Sequence, residues 1–388
     1  MNWKKILVNR FYQSSNKLGY DTSLFSMIGM GVGSFAMIIA LSVMNGFEDI
    51  VHKRLRGFDG DINISDISSE LDFSDIPEID LVMPYMERKG IIKSNKDNLI
   101  VLIEAINDSL MDAFYDIPYE GKFPKNGQII IGQGLANMIG KNINEEIILF
   151  SPIDQVYGAG FPPMKKMKIS GIFSTKVLNY DESYVFVTIN DGKNLFKRKN
   201  NIDGYKIKTH NEAMTKSVIK KLDNLLDKNT RITSWKEKNK SLVDAMRMER
   251  KAAIIILGLI FLVSSFNLSS SLILISIKKM KEVGMMRVLG AQKKELMNVM
   301  IFLGIKTAIK GALIGLGIAS FIVILQNLYE FIPLPSNVYF INFLPMKLSV
   351  IDFTLVFIIV SIFIIFSSYF AAKKIAFQNL REALEWVK

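Results

Sequence analysis

The chain is organised as long runs without charge separated by stretches of mixed polarity. Residues 24–44, 252–277, 311–329 and 353–372 contain no Asp, Glu, Lys or Arg. A helix needs about 20 apolar residues to cross about 30 Å of hydrocarbon. Each run meets or approaches that length, so the pattern predicts four spans, at residues 24–44, 252–277, 299–329 and 353–372. The first run is too long, and lacks the small-residue cleavage site, for a removable signal peptide.

Residues 45–251, between the first two spans, show a different pattern. Short strand-like runs recur at 61–64, 99–103, 128–131, 147–149, 184–187 and 205–208, each bounded by Gly, Asn, Asp or Pro. Residues 212–226 have helical spacing, with Met214, Val218, Leu222 and Leu225 on one stripe. Residues 235–277 contain no proline and predict one continuous helix, its first half a stalk leading into the second span. The predicted fold class is therefore an integral membrane protein. It has four transmembrane helices and a large extracytoplasmic mixed α/β domain inserted between the first and second spans.

Charge orients these elements. Residues 1–23 carry net +3, residues 278–298 net +4 and residues 373–388 net +2, whereas the short loop 330–352 carries net −1. By the positive-inside rule the first three are cytoplasmic, with both termini inside and the large domain outside. Most of the formal +11 is then a topology signal and not a nucleic-acid footprint. Arg247, Arg250 and Lys251, at the outer end of the second span, run against the rule; long translocated segments are largely exempt from it. Residues 1–23 mix Ile6, Leu7, Phe11 and Tyr12 with basic residues, as an amphipathic helix on the inner membrane surface does.

Composition removes several chemistries. There is no cysteine, which excludes disulfides, thiolate metal sites, a cysteine nucleophile and lipidation on cysteine. His52 and His210 are the only histidines and lie far apart, which argues against a histidine-rich metal site and for surface or structural roles. No Ser–His–acid set stands out. No Gly-x-x-x-x-Gly-Lys-Ser/Thr loop is present, so ATP and Mg belong on a partner polypeptide; this chain is expected to bind no cofactor and to be no enzyme. Gly29-x-x-x-Gly33 and Gly311-x-x-x-Gly315 suit close helix approach. Ser264, Ser265, Asn267 and Ser269 to Ser271 make the second span polar enough for hydrogen bonds between helices. Lys306 and Lys310 lie where they can snorkel to the cytoplasmic surface.

The cytoplasmic segment 278–298, KKMKEVGMMRVLGAQKKELMN, sets Gly284, Gly290 and Ala291 among apolar residues. Val283, Met286, Arg287 and Leu289 offer apolar and charged contacts of the kind that dock into a partner's groove. At lower specificity, the same segment reads as an anchor for anionic lipid.

Residues 266–319, FNLSSSLILISIKKMKEVGMMRVLGAQKKELMNVMIFLGIKTAIKGALIGLGIA, resemble the second span, coupling segment and third span of type VII ABC permeases, the FtsX-like and MacB-like superfamily. LSVMNGFE at 41–48 resembles the lipoprotein-releasing permeases LolC and LolE. The resemblance implies a permease subunit that extracts triacylated lipoproteins from the outer leaflet of the inner membrane of a diderm bacterium. It passes them to a periplasmic carrier, driven by a separate ABC ATPase and working with a second copy or a sibling permease. It implies ATPase coupling through Lys281, Glu282, Gly284, Met285, Arg287, Gly290 and Ala291, and lipid contact at Met44, Phe47, Ile256 and Leu257. It also implies a carrier hook in the proline loop 151–168, with Phe161, Pro162, Pro163 and Met164 as candidates. The alternatives are an efflux permease of the same superfamily and a mechanotransmission regulator of a cell-wall hydrolase.

Overall fold

The computed structural model describes residues 17–67, 71–93, 98–151, 164–196, 202–226, 230–278, 280–335 and 341–376. The chain divides into two compact units, one of residues 1–48 and 245–388, the other of residues 49–244. Among the described residues, four helices are long and apolar enough to cross a membrane: Leu24–Asp59 (within the helix Lys17–Asp59), Lys240–Lys278, Lys293–Tyr329 and Val350–Lys374. They are called the first to fourth span helices below.

In the helical unit the four span helices share one apolar cluster, including Met37, Leu41, Leu268, Leu272, Leu303, Leu316, Val356 and Ile364. Small residues set the spacing. A Cβ on Gly311 would lie 2.0 Å from the Met27 carbonyl oxygen, so the first and third span helices touch backbone to backbone there. Ser34 closes the contact by donating to the Ala312 carbonyl at 3.0 Å. Lipid offers no hydrophobic drive for helices to associate, so such close packing and inter-helix hydrogen bonds carry the assembly. The polar second span serves this end. Ser26 donates to Ser271 Oγ at 2.7 Å and to the Asn267 carbonyl at 3.3 Å. Ser269 donates to the Ser367 carbonyl at 2.9 Å, and Ser367 donates to the Ser265 carbonyl at 2.6 Å. Asn267 uses its backbone here, while its residue surface stays exposed.

The other unit is built on one sheet of ten strands among the described residues: β1 (Ile62–Ser65), β2 (Ile79–Lys93), β3 (Asn98–Ile106), β4 (Tyr119–Gly121), β5 (Gln128–Gly132), β6 (Glu146–Phe150), β7 (Met164–Phe173), β8 (Tyr184–Thr188), β9 (Gly204–Thr209) and β10 (Arg231–Ser234). The order is β10-β1-β9-β2-β3-β8-β5-β7-β4, with β6 pairing β2 and β7. The pairs β3–β8 and β5–β7 are parallel and the others antiparallel. The central strand β8, YVFVT, is buried throughout, as a β-branched and aromatic run covered on both faces should be. Phe58, near the end of the first span helix, stacks on Tyr180 with centroids 4.3 Å apart and joins a buried cluster with Phe114, Phe173, Phe186 and Trp235.

Three expectations need correction. The run 235–277 is not one helix. Ser234 and Glu237 form a capping box that starts a four-residue turn, Trp235–Lys238, and Asn239, at φ −101° and ψ 30°, breaks it from the second span helix. The predicted stripe on 212–226 is displaced: the helix is Thr215–Leu225, Val218 and Leu222 are buried, and Met214 and Leu225 are exposed. The expected loop over 151–168 ends earlier: Met164 is the first residue of β7, which pairs with β6 in register Phe150↔Met164 to Glu146↔Lys168. Phe161, Pro162 and Pro163 lie outside the described residues.

Candidate coupling and span-clamp sites

The segment 278–298 folds as a short helix, Met280–Val288, followed by a tight reversal into the third span helix. The reversal is a Schellman motif. The Ala291 amide donates to the Met286 carbonyl at 2.9 Å, and the Gly290 amide to the Arg287 carbonyl at 3.1 Å. Gly290 sits at φ +98°, a conformation in which an L side chain is strained. Gln292 and Glu295 then form a capping box that starts the third span helix.

The short helix has two faces. Val283 is buried, and Met286 packs on the cluster of the span helices. Both were expected to contact a partner; the helix spacing turns them inward instead. Met285, Val288 and Leu289 are exposed by 51%, 70% and 86%, an apolar patch without cover among the described residues. Glu282 and Arg287 are half-buried beside it. Gly284 is shielded by its own helix, yet a Cβ there would meet nothing within 4 Å. Ala291 is half-buried in the turn, and the side chain of Lys281 lies outside the described residues. Val288 was not singled out in the sequence; its signal is its position three residues after Met285 and next to Leu289.

The MNGFE stretch has a structural role that its sequence alone did not disclose. Asn45 donates from Nδ2 to Asp352 Oδ2 at 2.5 Å and to the Lys347 carbonyl at 3.2 Å. Arg250 Nη1 donates to Asn45 Oδ1 at 3.0 Å and lies 3.4 Å from Glu48 Oε2, while its Nη2 pairs with Asp352. Gly46 allows the connection after the third span to lie against the helix, since a Cβ there would fall 2.3 Å from the Pro345 carbonyl oxygen. The arrangement clamps the first, second and fourth span helices at one end. It also answers the anomaly of a basic residue at that end: Arg250 is matched by two carboxylates.

The MacB-like periplasmic core domain family matches residues 23–225, and the FtsX-like permease C-terminal family matches residues 254–380. The chain belongs to the MacB-like periplasmic core domain family. It is 24% identical over 377 residues to the lipoprotein-releasing system transmembrane protein LolC of Neisseria meningitidis, covering 89% of this chain and 90% of that one. It is 28% identical over 349 residues to LolC of Buchnera aphidicola, covering 85% and 84%. It is 23% identical over 384 residues to LolE of Haemophilus influenzae, covering 91% of each. The resemblance read from residues 41–48 and 266–319 is borne out by these matches.

In this permease the lipid-contact candidates do not share one direction. Ile256 is 62% exposed, whereas its neighbour Leu257 packs on the span cluster; Met44 and Phe47 are half-buried beside the clamp residues. Neither histidine joins a metal-ligating group among the described residues. His52 lies edge-on to Trp235 at 4.8 Å, and His210 lies 3.4 Å from Asp80.

The sheet unit holds a buried polar cluster that sequence reasoning missed. Lys206 Nζ lies 2.5 Å from Glu104 Oε1 with both side chains fully buried, and Phe58, Tyr85 and Tyr115 surround the ammonium at 5.0–5.8 Å. Tyr115 donates to Glu104 Oε1 at 2.8 Å. Lys238 pairs with the buried Asp59 at 2.7 Å, and Asn239 and Tyr180 also donate to that carboxylate. Burial pushes the Glu87 carboxyl above its usual range; Lys238 opposes this and Glu104 reinforces it. The cluster ties residue 59 of the first span helix to residues 238 and 239, just before the second. No nucleophile–base pair emerges from it, and its chemistry is that of a structural joint.

Proposed function

We propose that this chain is a permease subunit of an ABC transporter that releases lipoproteins. It takes triacylated lipoproteins from the outer leaflet of the inner membrane and passes them to a periplasmic carrier, with ATP and Mg handled by a separate ATPase. The observation that carries the reading is the exposed patch Met285, Val288 and Leu289, on a short helix fixed by the Gly290 turn between the second and third spans. Apolar surface at the water-facing end of a helical bundle calls for a partner. The similarity to LolC and LolE proteins over most of the chain supports the choice of lipoprotein as cargo.

On this reading the termini and the Met280–Val288 helix are cytoplasmic, and the sheet unit is periplasmic. Closure of two ATPase subunits on ATP pushes the short helix. Val283, buried against the spans, and Met286, packed on them, transmit the push to the helices that contact the acyl chains. A second permease, a copy or a sibling, supplies the other half of the lipid path. A carrier hook within residues 151–168 is part of this reading on the resemblance alone; Phe161, Pro162 and Pro163 lie outside the described residues.

The test is to purify the chain from its native membrane in mild detergent and identify what is bound by mass spectrometry. An ATPase together with triacylated lipoproteins that leave on ATP addition supports the proposal. An ATPase without lipoprotein shifts the function to efflux or regulation, and absence of any ATPase overturns the ABC reading.

A further inference from the structure

A groove of about 620 Å³ runs between the second and fourth span helices. Its walls are Leu262, Phe266, Ile273, Phe363, Phe366 and Phe370, and Lys373 and Lys374 stand at one end. The floor is made by Ser265, Ser269 and Ser367, whose hydroxyls are spent on each other and on backbone carbonyls. Small serines let the helices approach, and their internal hydrogen bonds leave the groove lining almost wholly apolar. Phe366 and Phe370 pack with centroids 4.6 Å apart and form one continuous wall.

The dimensions limit the occupant. From Leu262 to Ile273 a helix rises about 16 Å. That is roughly half of the ~30 Å hydrocarbon thickness. The groove therefore serves one leaflet, from mid-membrane to the head-group layer that holds the two lysines. A helix from a partner permease would need a face along the whole span. Lys373 and Lys374 at the groove's end match an anionic head group in charge.

We propose that this groove binds one anionic phospholipid, with an acyl chain along the phenylalanine wall and the phosphate on Lys373 and Lys374. None of its lining residues belongs to the short helix or to the first span helix. It requires only that these two lysines lie in a head-group layer, so it stands whether or not the cargo is lipoprotein.

The full-length chain is reconstituted in phosphatidylcholine nanodiscs that contain a small fraction of phosphatidylglycerol with a photoreactive acyl chain. Labelled peptides are mapped by mass spectrometry. Labels should concentrate on the segments holding Phe266, Phe366 and Phe370. At about 1 kcal/mol per basic residue near an anionic surface, the double variant Lys373→Ala, Lys374→Ala should lose about tenfold or more of that labelling. A phosphatidylcholine probe with the same reactive chain should label the wild-type groove about tenfold less, a comparison that needs no variant. Equal labelling by the two probes, unchanged labelling in the double variant, or cross-links only to a second protein chain would each overturn the proposal.

Discussion

Two adjacent substitutions separate the docking role of the short helix from its folding. Leu289 is 86% exposed, so Leu289→Glu removes almost no buried surface from the chain itself. Its effect on stability should stay within about 0.5 kcal/mol. If an ATPase covers the patch, docking buries a leucine worth about 1.5–3 kcal/mol, and glutamate adds the cost of desolvating a charge. The affinity should then fall about 10- to 100-fold or more. Gly290→Ala acts oppositely: at φ +98° an alanine is strained by about 1–2 kcal/mol, with nothing removed from the patch. Gly284→Ala serves as the control. It adds a Cβ in open space within a helix and should be neutral or stabilise by up to about 1 kcal/mol. The assay pairs hydrogen exchange over residues 280–291 with the affinity of the co-purifying ATPase for the detergent-solubilised chain. Wild-type affinity in Leu289→Glu, or loss of affinity only where exchange also rises, would refute the assignment of this face.

Other perturbations follow from the buried charges. Lys206→Met leaves the buried Glu104 without its cation and should cost about 3–5 kcal/mol; adding Glu104→Leu should restore most of it, read as the unfolding midpoint of that unit. Arg250→Ala strips the buried Asp352 of its cation and should lower the detergent-phase melting temperature by several degrees, about 2 kcal/mol or more, with partial recovery on adding Asp352→Asn. Glu87 has a raised folded pKa, so its favourable contribution is present below the unfolded pKa and is lost as pH rises through the folded one. Glu87→Gln should therefore gain stability relative to wild type from acid to neutral pH, and a constant difference between the two would contradict the assignment.

The spans and many of the strands were legible because their signals are local. The runs around 98–106, 128–132 and 184–188 are apolar and bounded by turn residues, and they fold as β3, β5 and β8. Strand β2 was hidden because Pro84 and Gly90 interrupt it and Glu87, Arg88 and Lys89 make its middle look like a loop. Strand β7 was hidden by Lys165, Lys166 and Lys168, although Met167 and Ile169 alternate inward. Lys206 reads as a solvent-facing strand lysine and is instead fully buried, because its partner Glu104 lies 102 positions earlier. The clamp escaped for the same reason: Asn45, Arg250 and Asp352 meet only when three helices do. Of the coupling segment, Gly290 and Leu289 stood out in the sequence, but the tight turn at Gly290 was not predicted. Which of its apolar residues face the bundle was not legible either, since that depends on how the short helix rolls against its neighbours.

The central claim is that this permease uses a partner's ATP hydrolysis to release lipoprotein. The most direct measurement places the chain and its co-purifying ATPase in proteoliposomes loaded with a triacylated lipoprotein and follows transfer to a soluble acceptor. The account predicts ATP-dependent transfer that Leu289→Glu abolishes while leaving the lipoprotein membrane-bound. ATP hydrolysis without transfer, or transfer undisturbed by Leu289→Glu, would contradict it.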